Sequence, residues 1–264
     1  MTMTTNKRGL RIPAKPRYHY VNAVANEFWG LVDYELPLDP LKVLKEFGCK
    51  VKTYQKISEK TGLSVEEVGA SFCSKDGSVC YDALTDSYRL AYNHSHRFEA
   101  RMRWTLAHEL GHIVLNHLTD FPQTNYEKDL LTNEQLEVLD KEANAFAGEI
   151  LAPESLLIGL AENVHRHTAE FYFALSHDIF KLSAEASYYR AIRIVAHLDN
   201  IIDSWPSEYP NVFNKYIDDF LVKYGEVGND SFASHIWLKS YSTEFEKQKL
   251  LAAEREGMCR YARR

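Results

Sequence analysis

The sequence predicts an α+β fold, with a small antiparallel sheet ahead of residue 95 and helix after it. Two observations carry this. Apolar and polar residues alternate with a period of two in Cys49 to Tyr54, and Val79 to Tyr81 and Tyr88 to Tyr92 are short strand-like runs after a turn, whereas from Arg97 onward apolar residues recur every three to four positions. The 264 residues, 45% hydrophobic and 26% charged, suffice for one sizeable core with an appendage, or two modest cores.

Residues 1–20 hold Lys7, Arg8, Arg11, Lys15 and Arg17 with no acid and with Pro13 and Pro16, which reads as a flexible basic arm. Residues 21–33 suit a helix with Val24, Phe28 and Val32 inward. Asp39-Pro40 pairs an N-cap with proline at the first helical position, opening a short helix that stops at Gly48. The Cys49 strand follows, and Ser64-Val65-Glu66-Glu67 is a capping box for another short helix. Lys56 to Val68 mimics part of a DNA-reading helix-turn-helix but lacks a flanking basic surface. Asp76-Gly77 marks the turn before the second and third strands.

Arg97 to Leu118 reads as one helix with Met102, Leu106, Leu110, Ile113 and Val114 on its apolar face. His108-Glu109-Leu110-Gly111-His112 sets two imidazoles one turn apart on the opposite face. There both can reach one zinc ion at about 2.0 to 2.1 Å, with Glu109 beside them as a general base. The plain alternative is two surface histidines on an amphipathic helix. Gly111 would let another backbone or a substrate approach. His117 projects toward the apolar side, as a hydrogen-bonded core or end-capping histidine.

A catalytic zinc needs a third protein ligand. Thr132 to Gln135 is a capping box for a second helix that Pro153 closes, with Leu136, Leu139, Ala143, Phe146, Ala147 and Ile150 inward. Glu142 lies at the edge of that face. Glu149 shares its stripe about 10 Å further along, so only one of the two can serve the same ion; Glu142 is the choice.

The run Trp104-Thr105-Leu106-Ala107-His108-Glu109-Leu110-Gly111-His112, then Glu142-Ala143-Asn144-Ala145-Phe146-Ala147 and Ile150-Leu151-Ala152-Pro153, resembles the ImmA/IrrE family of zinc metallopeptidases. Arg101 and Arg103 match the family's arginine-rich approach, Trp104 replaces its usual Phe, and Ala152 stands where Met is common. The resemblance spans about residues 20 to 197. It implies a thermolysin-like (gluzincin) zinc peptidase core, one Zn²⁺ on His108, His112 and Glu142, and Glu109 as base. It further implies a protein substrate, a helix-turn-helix repressor of a mobile element or stress regulon cut at one site. In zinc peptidases of this shape the strand beside the metal helix offers an open edge to the substrate backbone, and Tyr88, Leu90, Tyr92 and Asn93 are the candidates. Candidates for a second oxyanion donor are His94, His96, Tyr126 and the C-terminal histidines. A reading from another class is a catalytically silent, zinc-containing binding or antitoxin-like module.

Thr168 to Phe180 and Ala184 to His197 form a helix pair joined at Ser183, an N-cap. Residues 21–203 thus make up the expected peptidase domain. After Pro206 and Pro210 comes a helical extension, 204–264, with Phe213, Tyr216, Phe220 and Tyr224 at helical spacing and no assigned role. Cys49, Cys73, Cys80 and Cys259 lack C-x-x-C spacing and read as reduced thiols. No apolar run is long enough for a membrane span and no signal-peptide core is present, so a cytoplasmic protein is expected. A net charge of −6 argues against direct nucleic-acid binding by the whole chain.

Overall fold

The computed structural model describes residues 3–5, 11–32, 35–94, 99–121, 131–163, 167–201, 243–253 and 255. The chain divides into two compact units, Met1–Asp33 with Leu38–Leu151 and Tyr34–Pro37 with Ala152–Arg264. The division falls after Leu151, ahead of the helix pair.

In the first unit a short ribbon pairs β1 (Met3–Thr5) antiparallel with β2 (Arg11–Pro13). Ile12 is fully buried in a cluster with Phe121 and Leu139, so residues 11–17 are not the loose arm that their charge suggested. One apolar side chain among the basic ones helps to anchor them. Helix α1 (Tyr18–Leu31) buries Val21, Ala25, Phe28 and Trp29. Helix α2 (Pro40–Glu46) starts as its sequence dictates, with the Asp39 carboxylate accepting from the Leu41 and Lys42 N–H groups. Strand β3 (Lys50–Thr53) leads into α3 (Tyr54–Thr61), and Ser64 and Glu67 close the expected capping box on α4 (Val65–Ser71). Gly62 at φ 76° ends α3, so the segment does fold as helix, turn, helix.

The three-stranded sheet has the order β3, β5, β4, with β4 (Gly77–Asp82) antiparallel and β3 parallel to β5 (Ser87–Tyr92). It is therefore mixed rather than antiparallel, because α3 and α4 carry the chain across between β3 and the β4–β5 hairpin. Strand β5 lies in the middle and has partners on both sides, with Leu90 opposite Val51 and Val79. The expectation that Tyr88, Leu90, Tyr92 and Asn93 form a free edge is thereby corrected. Leu90 and Tyr92 are buried, and the Asn93 side chain is held by Gln55 and the Lys75 carbonyl. The strand-like run that marked β5 carries no record of which strands flank it.

Helix α5 (Glu99–Val114) and helix α7 (Asn133–Leu151) are the unit's main packed pair. The predicted single helix ends early, since Asn116 takes φ 57°, a left-handed conformation that asparagine tolerates. The short α6 (His117–Asp120) then turns His117 back into the interior, fully buried. The Thr132–Gln135 box caps α7 in both directions. Phe146 of α7 meets the Phe28 ring edge-on, centroids 5.9 Å apart, and burying such a ring is worth about 1.5 to 3 kcal/mol. Helix α5 is buried on more than its apolar face: Glu109, Gly111 and His112 are also enclosed.

The second unit contains α8 (Glu154–Asn163), α9 (Ala169–Ala174) continuing into a π-helical turn (Leu175–Ile179), α10 (Ala184–Ile201) and α11 (243–253). Thr168 and Ser183 cap α9 and α10. Phe245 of α11 packs edge-on to Phe173. The expected aromatic helix through Phe213, Tyr216, Phe220 and Tyr224 lies outside the described residues. Among those described, no helix is long and apolar enough to cross a membrane.

A Cβ at Gly111 would lie 3.1 Å from both Cα and O of Ala143 and 3.3 Å from a Phe146 ring carbon. The approaching backbone anticipated at Gly111 is thus that of α7. Gly111→Ala should lower stability even though Ala is the better helix former by about 1 kcal/mol, because overpacking against backbone costs about 1 to 3 kcal/mol. Thermal unfolding followed by circular dichroism should show a lower Tm; an unchanged or higher Tm would mean the helices part without cost.

Candidate metal centre

Helix α5 presents His108 and His112 one turn apart, and their Nε2 atoms are 3.1 Å apart. Each ring's other nitrogen is engaged. The Asn144 Oδ1 accepts from Trp104 Nε1–H at 3.3 Å and lies 3.0 Å from His108 Nδ1. Indole N–H can only donate, which identifies that Asn144 atom as the oxygen and makes His108 Nδ1–H the second donor. The lone pair of His108 is then on Nε2. On His112, Nδ1 lies 3.1 Å from His117 Nδ1, and His117 Nε2 lies 3.1 Å from Glu142 Oε2. With His117 donating Nε2–H to the carboxylate, its Nδ1 accepts from His112 Nδ1–H, and the His112 lone pair is also on Nε2.

Two lone pairs thus face each other across 3.1 Å. A cation between them turns that repulsion into attraction, and ligands at about 2.0 to 2.1 Å in a tetrahedron stand about 3.3 Å apart. Asp140 supplies a third donor. Its Oδ1 is 3.5 Å from His112 Nε2, and one ligand atom from each of His108, His112 and Asp140 falls within 4.8 Å of the others. The donor set therefore fits a divalent metal, with His112 buried, His108 partly buried and an exposed carboxylate on the outer side. Burial and the neighbouring His112 push the His108 pKa down to about 4, and burial lowers that of His112. Both rings are therefore neutral, as ligation requires.

Glu142, the expected third ligand, is elsewhere. Asp140 and Glu142 are two residues apart on α7, about 200° around the helix, so they cannot face the same ion. Glu142 is fully buried, and its Oε1 accepts from Arg17 N–H at 2.7 Å and Arg17 Nε at 2.9 Å. Its Oε2 accepts from Arg17 Nη2 at 2.7 Å and from His117 at 3.1 Å. A carboxylate has about four lone-pair positions, and all are taken. Burial would raise its pKa, but the bonds from Arg17 and His117 outweigh that and hold it down at about 2.

Glu109 has a different setting. It is 7% exposed, and its Oε2 accepts a hydrogen bond from Val79 N–H at 2.9 Å. Burial pushes its pKa up to about 8, against the opposing pull of the Val79 bond. Strand β4 supplies that donor because of its register. Asn93 N–H bonds to Asp76 O, so by antiparallel alternation Ser78 and Cys80 bond to β5 while Gly77, Val79 and Tyr81 point their backbone groups outward. Among the described residues the outer strand beside α5 is thus β4.

His94 donates its backbone N–H to Gln55 Oε1; His96 and Tyr126 lie outside the described residues. Cys49, Cys73 and Cys80 are free thiols. The sequence reading missed Asp140, the His117 contacts and Arg17. Asp140 and Asn144 are four residues apart, mirroring His108 and His112 on the facing helix, and that spacing was the available signal. No sequence signal pointed from Arg17 to Glu142.

Residues 66–191 match the family model Peptidase_M78, IrrE N-terminal-like domain, as the motifs on α5 and α7 led one to expect. No curated protein matches the chain. The family is one of peptidases, which supports metallopeptidase-type function acting on a protein.

If Asp140 is a ligand, Asp140→Asn should weaken divalent-metal binding by roughly tenfold or more, since a neutral amide is a poor ligand. Glu137→Gln, an exposed residue paired with Lys141 on the same helix, should leave it unchanged. Competition against a chromophoric chelator measures both, and equal affinities would remove Asp140 from the site.

Proposed function

From the match of residues 66–191 to an IrrE N-terminal-like peptidase domain we propose that the chain is a zinc-dependent endopeptidase whose metal is held by His108, His112 and Asp140. The observation that supports this best is the convergence of two Nε2 lone pairs and one carboxylate beside a second, nearly buried carboxylate, Glu109. Three protein ligands leave a position for water, whereas a structural site closes with four. Zinc bound there would supply a Lewis acid for the scissile carbonyl and lower the pKa of water toward about 7.

The remaining steps belong to the chain. Glu109, with Oε2 tied to Val79, uses Oε1 to take a proton from the attacking water and return it to the leaving amine. The Val79 bond fixes the carboxylate plane, so the base does not need to be oriented during the reaction. An extended substrate adds to β4, where the Val79 carbonyl and the backbone N–H and carbonyl of Tyr81 face outward beside the Val79 N–H that Glu109 already occupies. Pairing with backbone favours a peptide over a small molecule. By family resemblance the substrate is a cytoplasmic helix-turn-helix repressor, cut at one site to release its genes.

Glu109→Gln should keep fold and metal while lowering cleavage by roughly 10² to 10⁴-fold. The substrate to incubate is a helix-turn-helix repressor encoded beside this gene, with mass spectrometry reading for one discrete cut. Equal cleavage by both proteins would reject Glu109 as the base. Repressor binding without cleavage by the zinc-loaded wild type would favour the silent binding module instead.

A further inference from the structure

Behind His112, away from Asp140, stands an unbroken line of polar contacts. His112 Nδ1 meets His117 Nδ1 at 3.1 Å, His117 Nε2 meets Glu142 Oε2 at 3.1 Å, and Arg17 grips both oxygens of Glu142 through its guanidinium and its own backbone N–H. Three features mark this line as more than core filling. His117 and Glu142 are both 0% exposed, and burying a histidine and a carboxylate together is costly unless every bond is made. The bonds run in one direction only, each group donating toward the carboxylate. The line also ends on a nitrogen of a residue assigned to the metal site, whose orientation decides whether Nε2 points at the ion.

We propose that Arg17, Glu142 and His117 are positioning residues for the metal centre: Arg17 fixes Glu142, Glu142 fixes the tautomer and plane of His117, and His117 holds His112 with its Nε2 lone pair aimed between His108 and Asp140. The proposal rests on the reading of His108, His112 and Asp140 as metal ligands. It makes the segment before α1, which lies outside the matched residues 66–191, part of the centre. Glu142 accordingly serves the metal at two removes, through His117 and His112. His108 has a parallel but shorter support, Asn144 steadied by Trp104, so the two histidines are oriented from opposite sides.

The test uses the purified full chain and cobalt(II) as probe, read by chelator competition and by the visible absorption bands that report ligand geometry. Wild type should bind about one cobalt per chain and His108→Ala should not; wild type failing to bind overturns the ligand assignment and the proposal with it. Given binding, His117→Leu should weaken it by roughly 10 to 100-fold and shift the bands. His117→Gln, whose amide oxygen can accept from His112 and whose amide nitrogen can donate to Glu142, should come within about threefold of wild type. Arg17→Ala should weaken binding by roughly tenfold, and combined with His117→Leu it should add little, since members of one line are not additive. A folded His117→Leu with wild-type affinity and bands overturns the proposal, as does His117→Gln behaving no better than His117→Leu. Should His117→Leu not fold, wild-type affinity in Arg17→Ala overturns it.

Discussion

The approach of α5 to α7 at Gly111 is the constraint on which the rest depends. Without a Cβ there, the Ala143 backbone lies within 3.1 Å of where one would stand, and two i, i+4 stripes are brought face to face. One stripe is His108 and His112, the other Asp140 and Asn144. The pairing gives His108 its Asn144 contact and His112 its carboxylate neighbour. A wider spacing would leave two imidazoles with nothing opposite, so the packing geometry and the chemistry of the site are one fact. The close approach also accounts for the burial of α5 on several sides, with α7 covering the histidines while Glu109 turns to β4.

What the sequence disclosed and what it hid separate along chain distance. Helix starts were legible at Asp39, Ser64, Thr132, Thr168 and Ser183, because a cap is a bond between residues two or three apart. The His108 and His112 pair was legible for the same reason, one turn being a local distance. The break at Asn116 was missed because apolar periodicity runs on through it, and only the backbone conformation of that residue shows the turn. The central place of β5 was hidden, since a strand-like run reveals a strand without its neighbours. Asp140 went unconsidered while the choice fell between Glu142 and Glu149, because which flank of α7 meets α5 is not a local property of the chain. The bond from Arg17 to Glu142 joins residues 125 apart and left no trace in local pattern. Its charge read as part of a solvated arm, whereas the buried Ile12 helps to hold the neighbouring chain in place.

Two buried glutamates, in the same unit and against the same pair of helices, show how partners rather than burial decide what a carboxylate can do. Both Glu109 and Glu142 lose nearly all contact with solvent, and desolvation alone penalises the charge of each. Glu142 regains more than it loses from four donors, which holds its pKa at about 2. A group so fully satisfied has no lone pair for a metal and no tendency to take a proton, which leaves it suited to anchoring other side chains. Among the described residues Glu109 has one hydrogen-bond donor, the Val79 N–H, which leaves burial undercompensated and its pKa raised to about 8. That deficit is what a proton acceptor needs, because an oxygen without a partner is one on which a proton can land. The one bond it does make, to an outward-pointing N–H of β4, is enough to aim it without quenching it. Exchanging the two environments would remove both the proposed anchor and the proposed base, so the number of donors around each carboxylate distinguishes the two more sharply than position in the motif does.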